Sequence, residues 1–175
     1  VELLASNLIH QGLEKGDRVA IWSPNSINWI LVATAIQIAG GILVPINTRM
    51  KGSEAGFILN KSRAKFLFTE NDFLEIDYLD LLKNKDLPNL NKTFILNPKQ
   101  NETEASINDL FSKQSINLPK IDQDDVADII FTSGTTGEPK GVMINQLQNI
   151  NVFDYWSTFV GLNSKDRYLI VNPFF

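Results

Sequence analysis

The sequence predicts an α/β fold, a layered and largely parallel sheet flanked by helices, and three observations carry that expectation. Short apolar, β-branched runs alternate with helical patterns along nearly the whole chain. The strand-like runs are apolar on both sides, as strands covered by helices on two faces must be. The composition is that of a packed globular chain, with 175 residues, 43% hydrophobic and 21% charged.

Each element follows from its pattern. Val1 to Leu13 puts Leu3, Leu4, Leu8 and Ile9 on one side of a helix, closed by Gly12 and Gly16. Val19 to Ser23 (VAIWS) reads as a strand, and Pro24-Asn25-Ser26 as a turn and N-cap. Ile27 to Ala39 is apolar nearly all round, which predicts a helix buried on both sides. The run Ile27 to Val44 approaches the length of a membrane span. However, Asn28, Thr34, Gln37, Gly40-Gly41 and Pro45 fit a buried helix followed by a strand, so no transmembrane segment is expected. Ile42 to Ile46 is the next strand, Ser53-Glu54 starts a helix to Lys61, and Lys65 to Thr69 is a strand. A weaker cycle follows, with a helical pattern over Asp72 to Lys83, a strand over Thr93 to Asn97 and a short helix over Ser106 to Gln114. Ser115 to Asp125 reads as a polar connector. The region 126–144 reads as strand, loop and strand: Val126 to Thr132, then Gly141 to Ile144. The helix Gln146 to Val160 is expected to bury Leu147, Ile150, Phe153, Trp156, Phe159 and Val160, and Tyr168 to Asn172 is a final strand. Val1 in place of methionine, and Phe175 inside an apolar run, lead to the expectation that a single domain is cut at both ends.

Charge and composition exclude several functions. Sixteen Lys+Arg against twenty Asp+Glu leave a net charge of -4, so there is no basic excess for a nucleic-acid backbone. With no cysteine there is no disulfide, thiolate metal site or cysteine nucleophile, and the lone His10 makes a histidine-rich metal site untenable. Val1-Glu2-Leu3-Leu4 lacks the basic flank of a secretory signal, and the expected location is the cytoplasm, with peripheral membrane association as an alternative.

One segment is unlike scaffold: Thr132-Ser133-Gly134-Thr135-Thr136-Gly137-Glu138-Pro139-Lys140-Gly141. Its hydroxyls, two glycines that let the backbone approach a ligand, and one ammonium at the exit form the donor set that an oligophosphate requires. It is not a Walker A loop, because Pro139 has no amide to donate, Gly141 follows the lysine, and the next segment is strand-like. Composition alone leaves a phosphate loop and a solvated hairpin equally open. Among other candidates, Trp22, Trp29 and Trp156 read as core, and His10 as a surface or capping residue. Asp122 to Asp125 reads as a solvated turn without EF-hand spacing, and Arg49 and Lys51 as solvated charges.

The run DIIFTSGTTGEPKGVMI resembles the phosphate-loop signature of the adenylate-forming (AMP-binding) superfamily, which includes acyl-CoA synthetases, luciferases and peptide-synthetase adenylation domains. KGDRVAIWSPNSINWILVATAIQIAGGILVPINT resembles the early strand–helix–strand block of that family. DRYLIVNPFF resembles the segment before its active-site histidine, and PINTRMKGSEAGFIL and VNPFF are most similar to bacterial fatty-acid and related acyl-CoA ligases. The resemblance covers nearly all of the chain but only the first part of a longer enzyme. It implies ATP-dependent activation of a carboxylic acid, fatty acids foremost, to an acyl-adenylate, then thioester formation with coenzyme A. Thr132, Ser133, Thr135, Thr136 and Lys140 would hold the β- and γ-phosphates with Mg²⁺ assisting, Gly134 and Gly137 would allow close approach, and Gly141 would form the exit turn. One departure is Gln146, where the family commonly has histidine. The catalytic residues of the family would lie beyond Phe175, so none is assigned here and residues 1–175 alone are expected to be inactive. The alternatives are a non-catalytic nucleotide-binding remnant and a phosphotransferase or NTPase.

Overall fold

The structure, a computed structural model, describes residues 1–100, 103–111, 117–132 and 138–175. Its helices are α1 (Glu2–His10), α2 (Ile27–Ile38), α3 (Gly52–Ser62) and α4 (Gln146–Val160). Its strands are β1 (Arg18–Trp22), β2 (Ile42–Pro45), β3 (Ala64–Thr69), β4 (Lys92–Ile95), β5 (Val126–Thr132) and β6 (Lys140–Asn145). The six strands form one sheet in the order β4-β3-β1-β2-β5-β6. All neighbouring pairs are parallel except β5–β6, which is an antiparallel hairpin.

Alternation along each strand splits the core in two. On one face α1 and α2 cover Val19, Ile21, Leu43, Phe66, Phe68 and Phe94. On the other, α3 and the 78–90 segment cover Ala20, Trp22, Val44, Ile46 and Leu67. The Ser26 hydroxyl accepts from the Trp29 amide at 3.1 Å, so α2 starts where its N-cap residue stands. It ends where Gly40 takes a φ of +79° and Gly41 N–H returns to the Ile36 carbonyl at 2.8 Å.

Five expectations are corrected. Asp72 to Lys83 is not a helix: the chain turns at Phe73–Ile76 with Leu74 and Glu75 at positive φ, leaving only a 3₁₀ turn at Asp80–Leu82. The turn carries Tyr78 onto Trp22, ring centroids 4.3 Å apart, with its hydroxyl donating to the Thr48 carbonyl, a tertiary gain that overrides the helical pattern. Helix α2 is buried on one side only, since Ile27 and Ile30 are exposed. Helix α4 has no buried residue, and Trp156 is exposed with Leu147, Ile150, Phe153, Phe159 and Val160. Tyr168 to Asn172 forms no strand: Asn25 takes up the local backbone instead, donating to the Asn172 carbonyl and accepting from Phe174 N–H. The short helix expected over Ser106 to Gln114 is a 3₁₀ turn at Ile107–Leu110, its remainder running outside the described residues.

Candidate functional site

The β5–β6 hairpin carries the loop singled out in the sequence. Its register pairs Thr132 with Lys140, Phe131 with Gly141, Ile130 with Val142 and Ile129 with Met143. Thr132 and Lys140 thus face each other where the loop leaves and re-enters the sheet, putting a hydroxyl and an ammonium side by side. Among the described residues Lys140 has no ion-pair partner. Ser133, Gly134, Thr135, Thr136 and Gly137 lie outside the described residues.

Gly141, expected in the exit turn, stands inside β6. A Cβ there would lie 2.9 Å from Ile129 Cγ2 and 3.2 Å from the Phe131 ring, so the glycine serves packing between the strands. Lys61, at the end of α3, shares a cleft of about 490 Å³ with Glu138, Pro139, Lys140 and Gly141. Arg18 and Arg63 adjoin it, and the stem of the loop is therefore flanked by cations in an acidic chain.

Sequence reasoning missed Asp128. It is 8% exposed in the otherwise apolar strand β5 and accepts from Gln37 Nε2 of α2 at 2.9 Å and from Asn149 Nδ2 of α4. Burial pushes its acid up from the ordinary 3.8, against the two amide donors. The signal was the acidic residue within VADIIFT. Asp128 lines a cleft of about 460 Å³ between α2 and α4, with Gln146, Asn149, Trp29 and Phe174 on its walls. Gln146, the residue that departs from the pattern the sequence resembles, thus stands on the wall of this cleft. The Trp29 Nε1 beside it is the one buried side-chain polar atom without a partner among the described residues.

A second buried acid, Glu70, follows β3. Its Oε1 accepts from Ser23 Oγ at 2.5 Å and from Asn97 Nδ2 at 2.6 Å, tying the C-terminal ends of β1, β3 and β4 together. The remaining candidates carry no site. His10 and Arg49 are exposed, as is Lys51, whose amide donates to Glu54. Asp122 and Asp125 pair with Lys15, at 3.8 and 2.6 Å, and Trp22 Nε1 donates to the Asn47 carbonyl. Among the described residues no group of three or more His, Cys, Asp or Glu could hold a metal ion. No described helix is long and apolar enough to cross a membrane.

This architecture is shared with known proteins. The AMP-binding enzyme family matches residues 1–175. The chain is 37% identical, over 98% of its length, to 3-[(3aS,4S,7aS)-7a-methyl-1,5-dioxo-octahydro-1H-inden-4-yl]propanoyl:CoA ligase of Mycobacterium tuberculosis, covering 35% of that protein. It is 34% identical over 98% of its length to crotonobetaine/carnitine–CoA ligase of a Proteus species, covering 34% of it. The N-terminal domain of FACL13 from M. tuberculosis superposes with a TM-score of 0.82 at 28% identity, over 98% of this chain and 42% of that one. A long-chain-fatty-acid-CoA ligase of Archaeoglobus fulgidus gives 0.77 at 28% identity, over 94% of this chain and 32% of that one. The chain spans about a third of the length of the curated relatives it matches. With the family matched from end to end and the parallel sheet and its hairpin in place, this chain belongs to the AMP-binding enzyme family.

Proposed function

We propose that the chain supplies the phosphate-binding part of an acid–thiol ligase. A carboxylate oxygen attacks the α-phosphorus of ATP, the bond to the bridging oxygen breaks, and pyrophosphate leaves an acyl-adenylate. The sulfur of coenzyme A, its proton lost, then attacks the acyl carbon; AMP departs with the C–O bond electrons and a thioester forms. The single observation that carries this reading is the Thr132–Lys140 pair closing a TSGTTG loop, in a chain matched to the family along its whole length.

In this reading Thr132, Ser133, Thr135, Thr136 and Lys140 donate to the β- and γ-phosphates, and Gly134 and Gly137 admit them to the backbone. Donors to those oxygens would offset the charge that grows on pyrophosphate as it leaves. The cations Lys61, Arg18 and Arg63 around the stem favour the same charge. Mg²⁺ would neutralise phosphate charge when bound, with phosphate oxygens themselves among its ligands. The acid is read as a fatty or related apolar carboxylic acid, in keeping with the fatty-acid-CoA ligase fold likeness. The cytoplasm, where ATP and coenzyme A are available, is the proposed location.

The test is ATP–pyrophosphate exchange by the natural protein carrying these residues, across fatty and aromatic acids. Lys140→Ala should lower exchange on the order of 10²–10³-fold, the scale of losing a leaving-group donor. Unchanged exchange refutes the phosphate role. Release of ADP and phosphate would identify a phosphotransferase or NTPase, and ATP binding with no pyrophosphate released a non-catalytic remnant.

A further inference from the structure

The hairpin that carries Thr132 and Lys140 lies beside β2 with a single registered backbone pair, and its Ile129 and Phe131 pack against the buried cluster under α3. Strands β1 and β2 share four registered pairs and β3 and β4 another four, whereas β2 and β5 share a single pair, Leu43 with Asp128. Just before it, Val126 pairs with Asn145 and Asp128 with Ile144, so Ala127 is an extra residue and β5 is bulged beside its own attachment. A bulge re-aims the strand that follows it, and here that strand leads to Thr132.

The Asp128 side chain acts at the same point. One oxygen accepts from Gln37 of α2, which belongs to the parallel half, and the other from Asn149 of α4, which continues β6. The start of α4 is also held to residues 123 and 125 by backbone bonds, and Lys15 ties Asp125 to the parallel half at 2.6 Å; the bond from Gln37 makes a second such tie, within β5 itself and three residues nearer Thr132. A carboxylate accepts from two amides at once without offering a donor, which asparagine cannot do. Its burial disfavours the charged form, a cost that an apolar side chain would avoid.

We propose that Asp128 is a positioning residue of the nucleotide site, fixing the β5–β6 hairpin, and with it Thr132 and Lys140, against the parallel sheet through Gln37 and Asn149. This rests on the reading of Thr132 and Lys140 as phosphate contacts.

The experiment uses the natural protein, with kcat and KM for ATP from pyrophosphate exchange, ATP affinity from calorimetry, and melting temperature as the control for folding. In D128N one amide donor faces another, and kcat/KM for ATP should fall about 10–100-fold, the scale of a small misplacement of reacting groups. N149D sets two carboxylates against each other and should fall similarly. The reciprocal double variant D128N/N149D restores one acceptor to each amide donor, and kcat/KM should return to within about threefold of wild type. Asn149→Ala, which buries no new polar group, should give a smaller loss in the same direction and serves if D128N does not fold. Wild-type kinetics in D128N, or no recovery in a double variant that melts like wild type, overturns the inference while leaving the phosphate role intact. A wild-type protein that neither binds nor turns over ATP overturns both.

Discussion

A methyl group on Gly52 would lie 2.3 Å from the Leu81 carbonyl oxygen, a backbone atom that cannot swing aside. Gly52 opens α3 where the later 3₁₀ turn Asp80–Leu82 packs onto it. Gly52→Ala should therefore cost roughly 1–3 kcal/mol, the range for overpacking a tight contact. Gly56, one turn later in the same helix, is the control: an added Cβ would meet only Lys85 side-chain carbons at 3.5 Å and beyond. Gly56→Ala should stabilise by about 0.5–1 kcal/mol, the helical preference of alanine over glycine. Urea unfolding of both variants checks the pair, and two changes of the same sign would contradict the packing at Leu81. At this scale the sequence displayed the chemistry-bearing residues without their partners. Ser26 announced its cap locally, whereas the bond that Gln37 donates to Asp128 crosses 91 positions of chain and no local pattern encodes it.

Strand ends show how an element-level property follows from one group. Glu70 lies where β3 stops, with Ser23 after β1 and Asn97 after β4 bonded to the same oxygen. Burial raises its acid above the ordinary 4.5, and the two donors only partly oppose the shift. The native state therefore keeps this proton to higher pH than the unfolded chain does. Its contribution is fully present below 4.5 and is lost as pH rises through the native value. Glu70→Gln keeps an oxygen for both donors and removes the titration. The melting temperature of E70Q should gain on wild type as pH rises above 4.5, and a pH-independent difference would count against it. Elements with strong local patterns, α1 through β3, were legible because propensity and packing agree there. Asp72 to Lys83 was not, because the stacking of Tyr78 on Trp22 outweighs a helical period that only local residues could satisfy.

Over the whole molecule, the α/β class and the two strands of the β5–β6 hairpin could be read directly, but the distribution of apolar surface could not. Periodicity marks a face of α4 for burial and is silent on what covers it; in these residues Phe159 is 90% exposed and Leu169 80%. Phe153, Tyr155 and Val171 extend the apolar surface. Large apolar side chains exposed in this number along one helix and the segment after it favour association. A polypeptide of residues 1–175 alone should therefore self-associate and bind a hydrophobic dye, read by light scattering after size exclusion and by fluorescence. Phe153→Ser with Phe159→Ser should reduce both, and should leave the melting temperature nearly unchanged, because neither ring belongs to the two buried clusters on the sheet. A wild-type polypeptide that elutes as a monodisperse monomer and binds no dye would show that this surface folds back on itself in solution.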